Sequence, residues 1–415
     1  MEYALRKAET DVDTILEDLV NQIPSMKFGQ ERQDYIRQIL SEQPEDARKI
    51  LKDKLDSFLW LMISKEASDI DIGGAGSQGQ IWYRIYGDKH PEPKLGTYST
   101  DETDILIMNI LSNKDQEFLF RNRYVDFSYT FFRDDIRSRF RATVYFELNH
   151  LALNMRLISN QIRPFSKLGF HPEVVKLLSL KYVKRGLVLI TGITGSGKSS
   201  TLDTIIDANN RITDGHIVII SNPVEYVHES IKSIVRHREI GRDVLTFKEG
   251  TIQSLRQDPD IIVIGEVRDP DTIATVLEVA DSGHKVFTTL HTSSATESID
   301  RILGETHPSE QTRIRERLAD VLVCVVSQKL VPSLDAKVVL AKEVLVATPA
   351  VRTAIRNNNT DELYQLIYQS GHVGMITMEQ DLVNLYRKEQ ISYQNAYSHA
   401  NNKKRFEDLV RYYKV

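Results

Sequence analysis

Gly192-Ile193-Thr194-Gly195-Ser196-Gly197-Lys198-Ser199 is the stretch on which the fold of this chain turns. It follows the pattern G-x-x-x-x-G-K-[ST], comes directly after the apolar run Leu187–Thr191, and leads into a helical run. Each residue type has a physical reason. A triphosphate needs many donors at short range, and glycines let the backbone curl until successive N–H groups point inward. The helix that follows adds the positive end of its dipole. Lys198 can reach β- and γ-phosphates, and the Ser199 hydroxyl can join a Mg²⁺ shell. A chance glycine-rich turn would not bring strand, loop, lysine, hydroxyl and helix into register. The stretch predicts a site for ATP and Mg²⁺, with Gly192, Thr194, Gly195, Ser196, Gly197, Lys198, Ser199 and Ser200 as contacts.

Working outward, Ile217–Ile220, Ile261–Ile264 and Val286–Leu290 are short continuous apolar runs, as is Leu187–Thr191. Such runs suit strands buried on both faces of a parallel sheet. Helices intervene with readable starts: Thr246 with Glu249, Ser294 with Glu297, and Asp269 followed by Pro270. The alternation implies a doubly wound α/β domain, in which strand C-terminal ends gather at the ligand edge. Three further groups fall at that edge. Glu266 follows Asp260–Gly265 and is placed beside the metal and the γ-phosphate. Glu225 ends Ser221-Asn222-Pro223-Val224 and is a candidate to orient or deprotonate the attacking water. His291 ends the last strand and can donate to a phosphate oxygen; His284, just before that strand, is a weaker candidate. For each, an ordinary loop or structural residue is the competing reading.

The rest of the chain divides by texture. Residues 1–53 are rich in charge, with Leu5, Val12, Ile15, Leu16, Leu19 and Ile23 at helical spacing up to Pro24. A second helical stretch carries Ile50, Leu51, Leu55, Phe58, Leu59 and Met62. This extension is either an accessory docking element or a cap packed on its own protein. Residues 54–160 read as a small α+β domain, with Ile81–Ile85 and Arg139–Phe146 as strands and Ile105–Leu111 and Gln116–Phe120 as helices. Residues 161–169 read as a linker, 170–347 as the nucleotide domain, and 348–415 as a mostly helical region in which Thr377 and Gln380 open one helix.

The 415 residues hold 53 basic and 58 acidic side chains, a formal charge of -5, which argues against a bulk polyanion such as DNA as the main partner. One cysteine, Cys324, excludes an intrachain disulfide and a cysteine-ligated zinc knuckle. It reads as a small buried apolar residue. The N-terminus lacks a signal-peptide pattern, and no apolar stretch approaches the roughly 20 residues needed to span a bilayer. The expected location is the cytoplasm, with membrane association only through partners.

Together these segments resemble the secretion-ATPase superfamily, and within it the PilT-type pilus retraction ATPases. Gly192–Ser199 resembles the Walker A box, Ile217–Glu225 the Asp box, Asp260–Glu266 the Walker B box, and Ser282–Thr292 the His box. Leu255–Asp260, Ser298–Ile302, Ala67–Ile72, Ala354–Arg356 and Gly374–Leu382 look like this family too, so the resemblance spans roughly residues 55 to 400. It implies a RecA-like ATPase domain behind a PAS-like N-terminal domain, with helical additions at both ends. It also implies a ring of six that hydrolyses ATP to turn an inner-membrane platform protein and drive pilus retraction in twitching motility. By the same resemblance Ser199 and Glu266 hold the metal. Arg141 and Arg156 reach the phosphates, or else serve structural ion pairs.

Related extension ATPases carry a tetracysteine element, which one cysteine cannot build. A conjugative or type IVB secretion motor is a competing reading. So is a weakly catalytic accessory to another retraction motor, because the family's Glu-Asp before the Asp-box proline is Ser221-Asn222 here. A nucleic-acid translocase is a weaker one, given the acidic balance.

Overall fold

A computed structural model of the chain describes residues 2–133, 136–158, 161–335 and 337–413, leaving aside the side chains of residues 2–11 and 136. The Leu5 side chain of the predicted helical stripe, and the expected domain limits at residues 1, 160 and 415, lie outside what is described. The chain forms two compact units, Met1–Asn160 and Gln161–Val415, each described by itself.

The first unit opens with three helices: α1 (Glu2–Gln22), α2 (Gly29–Ser41) and α3 (Glu45–Ser64). A helical stripe shows in the sequence of α1 and of the apolar part of α3 but not of α2, whose few apolar residues sit among many charges. After them come β1 (Asp69–Gly73), β2 (Trp82–Ile85), β3 (Asp88–Pro91), α4 (Thr100–Ile110), α5 (Asn113–Asn122), β4 (Tyr124–Arg133), β5 (Ile136–Glu147) and β6 (His150–Ile158). The strands form one antiparallel sheet in the order β3-β2-β1-β6-β5-β4. Val12, Leu16 and Leu19, Ile36 and Ile39, and Leu55 and Phe58 from the three leading helices share one core with Ile107, Phe140 and Met155. The extension is therefore a cap on its own unit. Both α4 and α5 start at reciprocal capping boxes, Ser99 with Glu102 and Ser112 with Asp115.

The second unit holds α6 (Pro172–Leu178), β7 (Gly186–Thr191), α7 (Lys198–Ile212), β8 (His216–Ser221), β9 (Ile234–Glu239), α8 (Phe247–Ser254), β10 (Ile261–Ile264), α9 (Pro270–Asp281) and β11 (Lys285–Leu290). It continues through α10 (Ala295–Gly304), α11 (Gln311–Val321), β12 (Leu322–Pro332), β13 (Val338–Val346), α12 (Pro349–Arg356), α13 (Leu363–Gln369), α14 (Met378–Arg387), α15 (Tyr393–His399) and α16 (Lys403–Tyr412). Seven strands lie in the order β13-β12-β7-β11-β10-β8-β9. All neighbours are parallel except β13, which closes one edge antiparallel to β12.

The continuous apolar runs have a direct explanation in this sheet. Successive strand residues point to opposite faces, and both faces are covered. Leu187, Leu189, Val218, Ile220 and Ile262 enter one core with Ile273, Val276, Ile299 and Leu318. Val188, Ile190, Ile217, Ile219 and Val263 enter the other with Leu178, Ile205 and Ile206. Cys324 lies buried in this second core. Because β7, β8, β10 and β11 are parallel, the loops after Thr191, Ser221, Ile264 and Leu290 meet at one edge.

Candidate active site

The loop 192–197 bridges β7 and α7, which begins at Lys198. Gly192, Gly195 and Gly197 have φ of 152, 82 and 85°, backbone that a side chain would strain. A Cβ on Gly192 would lie 2.3 Å from Ser196 Oγ and 2.6 Å from the Gln328 carbonyl oxygen. Gln328, buried on β12, donates Nε2 to Ser196 O at 2.8 Å and pins the loop from behind. Ser196 Oγ is buried with no hydrogen-bond partner among the described residues. Thr194, Gly195, Ser199 and Ser200 are exposed at the mouth. Lys198 Nζ donates to the carbonyl oxygens of Gly192, at 2.8 Å, and Ile193, at 3.1 Å.

Glu266 follows Gly265, which is clamped between two strands. Gly265 N–H donates to Ile220 O at 2.8 Å, and Thr289 Oγ1 donates to Gly265 O at 2.6 Å. The Glu266 carboxylate lies 2.7 Å from Arg268 and 3.6 Å from His291 Nε2. His291 Nδ1 is 3.5 Å from Lys198 Nζ. Lysine, imidazole and carboxylate thus form one contiguous row. Burial holds the Lys198 ammonium below its ordinary pKa, and the charges of Glu266 and Glu225 pull it back up. Burial lowers His291 as well, reinforced by Lys198 and opposed by Glu266, with Arg268 and Arg301 adding to the lowering. These influences favour the neutral ring, whose Nδ1 faces the Lys198 ammonium and whose Nε2 faces Glu266.

Glu225 lies half-buried in the irregular segment after β8. Ser221 Oγ donates to Pro223 O at 3.0 Å, Asn222 is exposed, and the Asn222–Pro223 peptide is cis. The neutral pair thus replaces two charges with one local hydrogen bond and a solvated amide.

Of the three remaining sequence candidates, one lies away from this row on the same sheet and two belong to the first unit. His284 precedes β11, its carbonyl accepting from Gly186 N–H at 3.0 Å and its Nδ1 3.0 Å from Ser282 Oγ. The six-residue strand β11 separates it from His291 by about 20 Å at ~3.3 Å per residue. It caps the opposite edge of the sheet, which corrects the weaker histidine expectation. Arg141 and Arg156 belong to the first unit, directly opposite each other on β5 and β6 and both exposed. Arg156 Nε donates to Asp69 Oδ1 at 2.7 Å. Two groups escape the sequence reading. Gln328 has only a polar Ser327-Gln328 break in an apolar strand as its signal. Arg268 adjoins the Glu266 box, and nothing in the sequence shows its side chain returning to Glu266.

The donor set suits a magnesium triphosphate. Hydroxyl and carboxylate oxygens from Ser199 and Glu266 are the hard ligands Mg²⁺ prefers. The Gly192 concavity, which a single methyl group would fill, and the unpartnered Ser196 hydroxyl suit phosphate oxygens.

The sequence pattern of the "Type II/IV secretion system protein" family matches residues 45–410. This chain belongs to that family. Among family relatives, the type IV pilus retraction ATPase PilT of Pseudomonas aeruginosa is 38% identical over 332 residues, covering 80% of this chain and 93% of PilT. A crystal structure of the pilus retraction motor PilT with bound ADP superposes with a TM-score of 0.75 at 34% identity, covering 85% of this chain and 98% of that one. The ATPase DotB of Legionella pneumophila gives 0.68 at 26% identity, covering 83% and 94%. The expected fold class holds: a RecA-like P-loop domain, a PAS-like α+β domain, and helical additions. The chain is a secretion-family ATPase homologous to PilT. Among its described residues, no helix is long and apolar enough to cross a membrane.

Proposed function

We propose that this ATPase is a cytoplasmic motor for type IV pilus retraction, working as a ring of six against an inner-membrane platform protein. The observation that carries the reading is the row Lys198–His291–Glu266 at the mouth of the glycine loop, with the Glu225 charge acting on the same lysine. Identity to PilT over most of both chains supports the pilus assignment.

In this reading the N–H groups of Thr194, Gly195 and Gly197 cradle the phosphates of ATP, with Ser200 at the helix start, while Gly192 and Ser196, whose N–H groups donate to Leu290 O at 3.3 Å and Ile193 O at 3.1 Å, shape the loop around them. Lys198 exchanges its two carbonyl partners for phosphate oxygens. Ser199 and Glu266 would hold Mg²⁺, which would supply positive charge to the phosphate oxygens. Glu225 orients water and accepts its proton. Neutral His291 donates Nε2–H to the terminal phosphate and reports its loss. Arg141 and Arg156 offer charge from the first unit. Losing the γ-phosphate then removes contacts that hold a closed arrangement, which converts chemistry into motion.

Purified protein should hydrolyse ATP with Mg²⁺, and Lys198→Ala and Glu266→Gln should lower kcat/KM by at least about a hundredfold. Equal rates would remove these residues from the site. A strain lacking the gene should be hyperpiliated and unable to twitch; normally piliated, motile cells would rule out the retraction role. The accessory reading rests on Ser221 and Asn222, and robust turnover by this chain alone ends it.

A further inference from the structure

Residues 222–228, which carry Glu225, have neither helix nor strand. The position of Glu225 therefore depends on side-chain anchors. On one side, Val224 N–H donates to Glu239 Oε2 at 3.1 Å. Glu239 ends the edge strand β9 and is only 6% exposed. Its Oε1 lies 3.4 Å from Arg242 Nε, and its own N–H donates to Asp243 Oδ2 at 2.8 Å. On the other side, His228 N–H donates to His237 Nε2 at 3.0 Å, and His228 Nε2 is 3.2 Å from Asp203. Asp203 stands on α7, the helix that starts with Lys198. The segment is thus tied to the sheet edge before Glu225 and to the phosphate helix after it.

We propose that Glu239 is a positioning residue for hydrolysis, its buried carboxylate fixing Val224 N–H and through it Glu225. This rests on the reading of Glu225 as the group that directs water. The bond is charge-assisted, so it is stronger and more directional than a neutral one. It acts on the residue next to Glu225, with no regular structure between to share the constraint. His228 and Asp203 hold the far end, so a loss at Val224 lets the chain pivot about that end and swing Glu225. A shift of about 1 Å at a catalytic group costs on the order of a hundredfold in rate.

The test is a double-mutant cycle on the purified full chain, with kcat, KM and the melting temperature measured for each variant. Glu239→Ala should lower kcat by about a hundredfold, with KM for ATP changed by less than about threefold. Glu239→Gln keeps an oxygen acceptor but loses the charge, so it should recover most of the rate and retain a loss of about fivefold. In a Glu225→Gln background, Glu239→Ala should cost nothing further, because Glu239 acts through Glu225. A wild-type rate for Glu239→Ala overturns the proposal, as does an equal loss in the Glu225→Gln background. If Glu239→Ala does not fold, Glu239→Gln carries the cycle alone, and the absence of its loss is decisive against the proposal. A wild-type rate for Glu225→Gln overturns the water-directing role itself, a separate result.

Discussion

Replacing Gly192 by alanine adds one methyl group where the loop has no room. Its Cβ would stand 2.3 Å from Ser196 Oγ and 2.6 Å from Gln328 O, whereas ordinary contact begins at 3.4 Å. The serine hydroxyl can rotate away. The Gln328 carbonyl belongs to β12, held between β7 and β13. The loop must therefore retreat by the difference between 2.6 and 3.4, which is 0.8 Å. Overpacking of this kind costs about 1–3 kcal/mol, and a displacement near 1 Å at a phosphate cradle costs on the order of a hundredfold in rate. Gly195→Ala is the matching control. Among the described residues nothing lies within 4 Å of its Cβ, and the φ of 82° is what opposes a side chain. That strain is worth about 1–2 kcal/mol, so the expected loss is nearer tenfold. The assay is steady-state ATP hydrolysis, with nucleotide affinity and melting temperature recorded beside it. Wild-type turnover by Gly192→Ala, or a larger loss from Gly195→Ala, would refute the steric reasoning.

Two further predictions concern the scaffold. Glu343 on β13 is buried and accepts from Ala295 N–H at 2.7 Å and Met378 N–H at 3.4 Å, and burial raises its pKa from 4.5 to about 7. A folded-state pKa above the unfolded one favours the native state when protonated. Its stabilisation is thus full below pH 4.5 and lost as pH rises to about 7. The melting temperature should fall over that window relative to Glu343→Gln, and parallel profiles would contradict this. Leu55→Ala empties a fully buried place in the first unit's core and should cost about 2–5 kcal/mol in urea unfolding; a loss under about 1 kcal/mol would mean that the helical cap is loosely packed.

The strands around the phosphate loop were legible because both faces of the sheet are covered, which forces unbroken apolar runs such as Ile261–Ile264. Glycines and Lys198 were legible because phosphate chemistry restricts residue type. The edge strand β9, Ile234–Glu239, escaped because one side of it is solvated and its sequence mixes arginine and histidine with valine. Helix α2 escaped for a similar reason: buried Gln33 takes a place where an apolar residue would have shown the stripe. Gln328 and Glu239 act on loops far from them in sequence, and such contacts exist only once the strand order is known. His284 shows the converse error. Proximity in sequence to a ligand-edge strand says nothing until the strand's direction is counted. In the capping box expected at Ser294, the serine accepts from Glu297 N–H, but the Glu297 carboxylate turns to Ser293 N–H at 2.7 Å.

The shared core of the first unit has one more consequence. The family pattern begins at residue 45, which suggests α1 and α2 as removable decoration. Yet Leu16, Leu19, Ile36 and Ile39 are interior residues, and Gln33 donates to the carboxylate of Asp104 on α4. A protein trimmed to the family length would expose a greasy flank in place of a surface, and among the described residues would leave Asp104 with only His150 and the Leu151 N–H as partners. Comparisons of minimal motors with this one would then measure stickiness and misassembly where they meant to measure force.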